Sequence, residues 1–390
     1  MGIRDCAKKS AAFMELIHSY CHREEAALKW KAEGKKVVRQ LGADVPEELV
    51  IAAGMLPVKV YAGPERQLPY AGRYLEETFD PLSRAHFEKI VDGTYDKLLD
   101  SLVITNSADV CVRLFVYLRE IIRTEPAMPV PPTVFIDWLF SRNYLYQEHN
   151  IFTIGEFKKQ LEAWAGRVIT DEQIRAASEL CNDNRAALRE ISDLRKGDIV
   201  HLSGSEALVI IGSAFFMEKS QHTRLVRTVA REAQNWPEVK GARLYLTGSP
   251  QETTGLYDLI EEAGGVVVGE DHDWGDRYYD KDTRTDIDPL CAVVDRYMMR
   301  VSNTKRASVT LRVKDLTENA GKAKAEGVVF TSNVNDDALT WEYPSQKKAL
   351  VDIGIKSSYF GRVQYPVTKT EKLCDGIRWF VESLKGSDGR

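Results

Sequence analysis

No two of the six cysteines, Cys6, Cys21, Cys111, Cys181, Cys291 and Cys374, stand close enough to form a CxxC or CxxxC pair. Spacing alone therefore offers no zinc or iron–sulfur signature. Isolated cysteines of this kind read as reduced, small apolar residues. Nor is there an excess of basic charge: Lys and Arg number 53 against 58 Asp and Glu, a formal net charge of −5. This argues against nucleic acid as a partner. Long apolar runs are missing too. The longest, Ala207 to Met217, is about half of what spans a bilayer. The start, MGIRDCAKKSAAFMELIHSY, has no continuous apolar core of a signal peptide, and its Met-Gly lacks Ser or Thr at position six. The expectation is a cytoplasmic protein with no membrane contact. Gly248 has no partner glycines at dinucleotide spacing. The seven histidines stand beside no obvious nucleophile, so no Ser-His-Asp arrangement can be argued.

What is present is ordinary soluble material: 44% hydrophobic and 28% charged residues over 390 positions. That length suits two domains. Residues 5–40 are charged and helix-prone, with no Pro and a Gly only at 34. Val45-Pro46-Glu47-Glu48-Leu49 predicts a helix start, since Pro suits the first turn and acidic residues favour the positive end of the helix dipole. That helix is expected to stop at Gly54. Leu56–Tyr61, Leu102–Thr105 and Thr133–Trp138 read as strands, and Val110–Ile122 as a helix between two of them. Strand, helix, strand predicts a parallel sheet with helices on its faces.

From Thr153 to about Asn235 the pattern is mostly helical. Thr153–Glu156 and Thr170–Gln173 resemble N-terminal caps, and Asp171–Leu194 is expected to join two lobes. A second α/β unit begins near Gly241. It has strands at Ala242–Gly248, Val266–Val268 and Gly327–Phe330, and helices at Thr253–Ala263 and Pro344–Ile353. The fold class expected is α/β. An N-terminal lobe at 1–152 and a C-terminal lobe at 236–390, each with a parallel sheet, are joined by a helical connection at 153–235.

In open parallel sheets, ligands bind beyond the carboxyl ends of the strands, so the strand tips are the places to inspect. Thr247-Gly248-Ser249-Pro250 reads as a cap and turn that can also offer N–H groups to a phosphate. Glu270-Asp271-His272-Asp273 reads as a solvated acidic loop, with metal binding or acid–base chemistry as the sharper alternative. Arg277, with Tyr278 beside it, can pair with those carboxylates or hold a ligand anion. Asp336-Asp337 can cap the helix that follows. Asn106-Ser107-Ala108-Asp109 ends one strand and opens a helix, and Arg113 can pair with Asp109 one turn back.

Several stretches together resemble the 2-hydroxyacyl-CoA dehydratase family, which includes subunits of ATP-dependent benzoyl-CoA reductase. They are VPEELVIAAGMLPVKVYAG (45–63), ITNSADVCVRLF (104–115), ARLYLTGSP (242–250), EEAGGVVVGEDHDWGDRYY (261–279), DIDPLCAVVDRYM (286–298), EGVVFTSNVNDDALTWEYP (326–344) and TEKLCDGIRWFVESL (370–384). They follow one another at family-like spacing over nearly the whole chain. The resemblance implies two flavodoxin-like or Rossmann-like lobes with a site between them, a related partner subunit, and an acyl-CoA thioester as substrate. It also implies a [4Fe-4S] cluster held by cysteines at the tips.

Those cysteines are missing here. Where members usually read Cys-Asp, this chain reads Ala108-Asp109; at two other family positions it has Gly42 and Asp336; and Thr78–Ser83 has none. Cys111 lies about one helical turn from position 108, and neither it nor Cys291 restores a ligand set. The expectation is therefore no cofactor in this chain, with a cluster left to the partner subunit. The first functional reading is a cluster-free subunit of a dehydratase- or reductase-like complex that shapes an acyl-CoA site. Glu47, Asp109, Asp271 or His272 would then supply protons, and Ser107, Arg113, Ser249, Arg277 and Tyr278 would bind substrate. The second is a non-redox acyl-CoA enzyme running hydration, dehydration or isomerisation, with Asp109 and Asp336 as acid–base groups; those two could alternatively take a hard cation. The third is a non-catalytic structural partner.

Overall fold

A computed structural model of the chain describes residues 1–63, 67–96, 98, 100–141, 143–300 and 307–385. Among the described residues, eight strands form two sheets. The first contains β1 (Val37–Leu41), β2 (Leu56–Lys59), β3 (Ser101–Thr105) and β4 (Thr133–Ile136), in the order β2-β1-β3-β4. The second contains β5 (Ala242–Gly248), β6 (Gly265–Glu270), β7 (Gly327–Asn333) and β8 (Lys356–Val363), in the order β6-β5-β7-β8. Every pairing between them is parallel. The two sheets therefore share one topology, and both are of the doubly wound α/β kind. In each, the order turns back between the first and third strands, and such a switch point opens a crevice at the carboxyl ends.

The strands expected from the sequence form within a residue or three of their expected ends. Two others were hidden. Val37–Leu41 lies inside a stretch that reads as helical, yet it is a central strand, buried along its whole length. The buried Arg39 masks its apolar character. Its guanidinium pairs with Glu24 and lies 3.8 Å over the Tyr95 ring. The last strand, Lys356–Val363, is a half-exposed edge of mixed composition, which gives no alternation to read.

Helix Asp171–Lys196 begins with a complete capping box of Thr170 and Gln173, as the sequence predicts. It fastens to both lobes through buried charge. Arg185 meets Glu48 of the first lobe at 2.5 Å, and Arg195 meets Glu270 of the second at 2.7 Å. The cap expected at Thr153 does not form. Residue 153 falls inside the helix Tyr144–Ala165, whose cap is Asn143. Helix Glu47–Ala52 starts one residue after Pro46, with both glutamates in its first turn, and Gly54 follows at φ +77°. The N-terminal helix Ala11–Cys21 packs with the second lobe. Phe13, Leu16 and Tyr20 share a core with Leu225, Val229, Leu244, Leu246 and Phe380. Among the described residues no helix is long and apolar enough to cross a membrane.

Candidate functional site

The carboxyl ends of the two sheets face one cavity of about 130 Å³. The first lobe contributes Gly42 after β1, Val60 after β2, and Ser107, Ala108, Val110, Cys111 and Leu114 around the tip of β3. It adds Asp80, Leu82, Ser83 and His86 from the helix Pro81–Val91 and its cap. The second lobe contributes Gly248, Pro250, His272, Asp273, Trp274, Arg277, Arg312, Asn333, Asp336 and Leu339. The lining thus combines apolar side chains with a few charged ones from both lobes, which is the usual make-up of a small-molecule site. Positions 42, 108 and 336, and three residues of the 78–83 stretch, are far apart in sequence; the fold brings all of them to this cavity.

Gly42 holds φ at +106°, and a Cβ there would lie 2.2 Å from Thr105 Oγ1 and 2.7 Å from Ser107 Oγ. Only glycine fits this backbone without movement. The Ser107 hydroxyl accepts a hydrogen bond from the Ala43 N–H at 3.2 Å, fixing the loop beneath the cavity. Ala108 is the extended residue just before helix Asp109–Thr124. Cys111 is the one thiol among the residues lining the cavity. At the β5 tip, Gly248 lies so close to β7 that a Cβ would fall 1.8 Å from the Thr331 carbonyl oxygen. Asp336 precedes a 3-10 turn, Asp337–Glu342, and its side chain does not cap that turn. It instead accepts a hydrogen bond from Ser249 Oγ at 2.5 Å, and Ser249 Oγ accepts one from the Asn333 N–H.

The acidic tip after β6 is buried and paired rather than solvated. Glu270 accepts from both terminal nitrogens of Arg195. Asp273 meets Lys59 at 2.6 Å, with the Lys59 ammonium 4.5 Å from the Phe215 ring centre. Burial works against the Asp273 charge, yet Lys59 outweighs it and holds that carboxyl down at about 2. Asp271 accepts from Thr247 Oγ1 and lies 3.8 Å from Arg277. Burial raises its pKa in spite of that cation. The sequence offers Arg277 as a partner for these carboxylates, but not Lys59 or Arg195, which come from β2 and from helix Asp171–Lys196.

His272 is 1% exposed and engaged at both ring nitrogens. Its Nδ1 accepts from the Trp274 N–H at 3.3 Å, which puts the proton on Nε2, 2.8 Å from the Tyr257 hydroxyl. Burial pushes its pKa down to about 3, so it is a neutral, fixed imidazole at pH 7. Glu47 and Tyr278 sit in a smaller adjoining cavity of about 20 Å³, which shares Gly42, Ala43, Lys59 and Asp273 with the main one. There the Tyr278 hydroxyl donates to Glu47 at 2.8 Å, and Lys219 lies 3.2 Å from the same carboxylate. Two candidates stay outside. Asp109 is exposed at the first turn of its helix. Arg113 stacks 4.1 Å over the Phe79 ring. Arg277 and Ser107 line the main cavity, and Ser249 supports it from behind through Asp336.

Sequence reasoning missed Arg312, Lys59 and His86, which also line the cavity. Lys59 stands within the 45–63 stretch but is not singled out there, Arg312 and His86 stand in none of the stretches that carry the resemblance, and each meets its partners only through the fold. A wider groove of about 610 Å³ adjoins the cavity and shares Arg277 and Arg312 with it. Arg189, Lys196 and Lys322 also line it, together with Asp193, Glu270, Asp271, Asp276, Asp280 and Asp315.

The chain matches the protein family described as 2-hydroxyglutaryl-CoA dehydratase, D-component, over residues 43–384. It is 26% identical over 327 residues to the (R)-phenyllactyl-CoA dehydratase beta subunit of Clostridium sporogenes, covering 83% of this chain and 85% of that one. It is 26% identical over 337 residues to the beta subunit of the (R)-2-hydroxyglutaryl-CoA dehydratase of Acidaminococcus fermentans, covering 83% and 86%. A benzoyl-CoA reductase subunit of Thauera aromatica is 22% identical over 339 residues, covering 82% and 84%. The order of strands, the tips that meet at one cavity and this match across most of the chain agree: the protein belongs to the 2-hydroxyglutaryl-CoA dehydratase D-component family.

Proposed function

We propose that this chain is a subunit of a 2-hydroxyacyl-CoA dehydratase- or benzoyl-CoA reductase-like complex, that it takes an acyl-CoA thioester at the cavity between its lobes, and that it carries no iron–sulfur cluster of its own. The observation that carries this reading is the convergence of Gly42, Ala108 and Asp336 on one cavity. These are the positions where the family resemblance places cysteines. A [4Fe-4S] cluster is held by four thiolates. The residues at this cavity, with Cys111 as their one thiol and no room for a side chain at Gly42, do not fit such a group.

What remains suits a thioester. The apolar lining of Val60, Leu82, Val110, Leu114 and Leu339 accepts an acyl group. Arg277 and Arg312 can donate to its carbonyl oxygen. The wider groove of about 610 Å³ has room for the remainder of the coenzyme, and its cations Arg189, Lys196 and Lys322 stand there among six carboxylates. A related subunit supplies the one-electron centre, and the exposed Tyr144, Leu145 and Phe152, 72%, 69% and 67% accessible, offer apolar surface for a protein contact.

The test is iron and acid-labile sulfide per chain after anaerobic purification, alone and with any co-eluting partner, together with calorimetric titration of acyl-CoA esters. Near-zero iron on the isolated chain with micromolar ester binding is the expected result. About four irons per chain would overturn the cluster-free reading. An ester affinity no better than that of free acetate would overturn the binding role and leave a structural subunit.

A further inference from the structure

The cavity is lined by two histidines, and the structure treats them oppositely. His272 has both nitrogens engaged, as described above. His86, on the helix Pro81–Val91, gives only Nε2 to the protein, 3.0 Å from Glu252 Oε2. Its Nδ1 has no hydrogen-bond partner among the described residues.

Glu252 lies 166 residues further along, just past the β5 tip, and is 1% exposed. Its other oxygen accepts from the Tyr365 hydroxyl at 2.6 Å and from the Ala62 N–H at 2.9 Å, and Arg23 lies 3.9 Å away. Burial opposes the charge of this carboxyl, but His86, Arg23 and Tyr365 more than offset that, and its pKa falls below the usual value. A carboxylate only accepts. The proton between the two residues therefore sits on His86 Nε2, and in the neutral imidazole the lone pair is then on Nδ1. Fixing one nitrogen through a buried carboxylate is how an imidazole is held in the tautomer of a general base.

We propose that His86 is the proton-transfer residue of this cavity, acting through Nδ1 on the acidic C–H next to the carbonyl of a bound thioester, with Glu252 as its positioning residue. The proposal rests on the thioester reading above and deepens it. Nδ1 takes the proton, the C–H bond breaks, and its electron pair moves into the carbonyl to give an enolate. Arg277 and Arg312 line the same cavity and balance the enolate oxygen. The Glu252 carboxylate balances the imidazolium. Return of the proton from Nδ1 to carbon closes the cycle, with no oxidant or reductant needed. In deuterated water the returning ion is a deuteron, so the step is visible as exchange.

The experiment follows that exchange. The full chain, purified with any partner that co-elutes, is incubated in D2O with propionyl-CoA and phenylacetyl-CoA, and loss of the α-hydrogen signal is read by NMR. Ester affinity is measured in parallel by calorimetry. The comparison is His86→Gln, whose amide N–H replaces Nε2–H towards Glu252 and keeps the contact between lobes, but which has no Nδ1 lone pair. The expected result is exchange by the wild type, reduced about 100-fold or more in H86Q, with ester affinity unchanged. Tight ester binding with no exchange, or with equal exchange in H86Q, overturns the proposal and makes His86 a strut. Absence of ester binding overturns the thioester reading instead, and the proton-transfer role falls with it.

Discussion

Replacing Gly42 by cysteine introduces the residue that the family resemblance implies at this position, and the structure says that this backbone resists it. Three costs add. A side chain at φ +106° is a strained backbone state of about 1–3 kcal/mol. A Cβ at 2.2 Å from Thr105 Oγ1 and 2.7 Å from Ser107 Oγ is overpacking, at about 1–3 kcal/mol. Displacing Ser107 also breaks its hydrogen bond from the Ala43 N–H, worth about 1 kcal/mol. The sum, about 3–7 kcal/mol, is a large share of the stability of an ordinary domain. Ala108→Cys is the control. Ala108 has φ −144° and ψ 154°, extended geometry open to any residue, so its cost is expected to stay within about 1 kcal/mol. The assay is urea unfolding followed by tryptophan emission, to which the buried Trp138 contributes; its indole donates to the Asp44 carbonyl, two residues from Gly42. G42C is expected to unfold at clearly lower urea than A108C. Equal midpoints for G42C, A108C and wild type would refute the argument that the cavity floor has no room for a thiol.

Three further outcomes are expected. The His272 imidazole stays neutral down to pH 5 in a proton NMR titration, because burial puts its pKa at about 3; a midpoint near 6.5 would show that it is open to solvent. Glu261, raised by burial to about 7, binds a proton in the native state that the unfolded chain releases near pH 4.5. Its contribution is therefore fully present below about pH 4.5 and lost as pH rises through 7. Glu261→Gln keeps an oxygen to accept from the Ser205 N–H and is expected to gain stability over wild type at pH 8 and not at pH 4; equal differences at both would sink the argument. Arg277→Ala removes one of the two guanidinium groups lining the cavity, and is expected to weaken acyl-CoA binding about 10-fold or more by calorimetry, the value of a charge-assisted hydrogen bond. Unchanged affinity would move the thioester carbonyl elsewhere.

Fold class was legible because it rests on local signals that repeat. Short β-branched runs such as Leu102–Thr105 and Val266–Val268, each followed by a turn and a helical period, specify parallel α/β units whatever their surroundings. The Thr170–Gln173 box and the stop at Gly54 are similarly local. The family was legible because whole stretches keep their order. What failed was anything whose character is set from outside. Val37–Leu41 becomes a central strand because Glu24 and Tyr95 take up Arg39. Glu270–Asp273 becomes a buried network because Arg195 and Lys59 arrive from other elements. Asp336 turns to Ser249 rather than to its own helix.

The sequence by itself thus determined which segments form most of the two sheets and that positions 42, 108 and 336 carry no thiol, since both are properties of neighbouring residues or of identity alone. The tertiary structure decided where those positions lie. It gathered Gly42, Ala108 and Asp336 around one cavity and closed the space above Gly42 with Thr105 and Ser107. It also locked His272 and left a nitrogen of His86 available opposite Glu252, a partner 166 residues away. Side-chain protonation and tautomer depend on distance and dielectric, and both are set by residues remote in sequence. That is why the chemistry of this site could not be read along the chain.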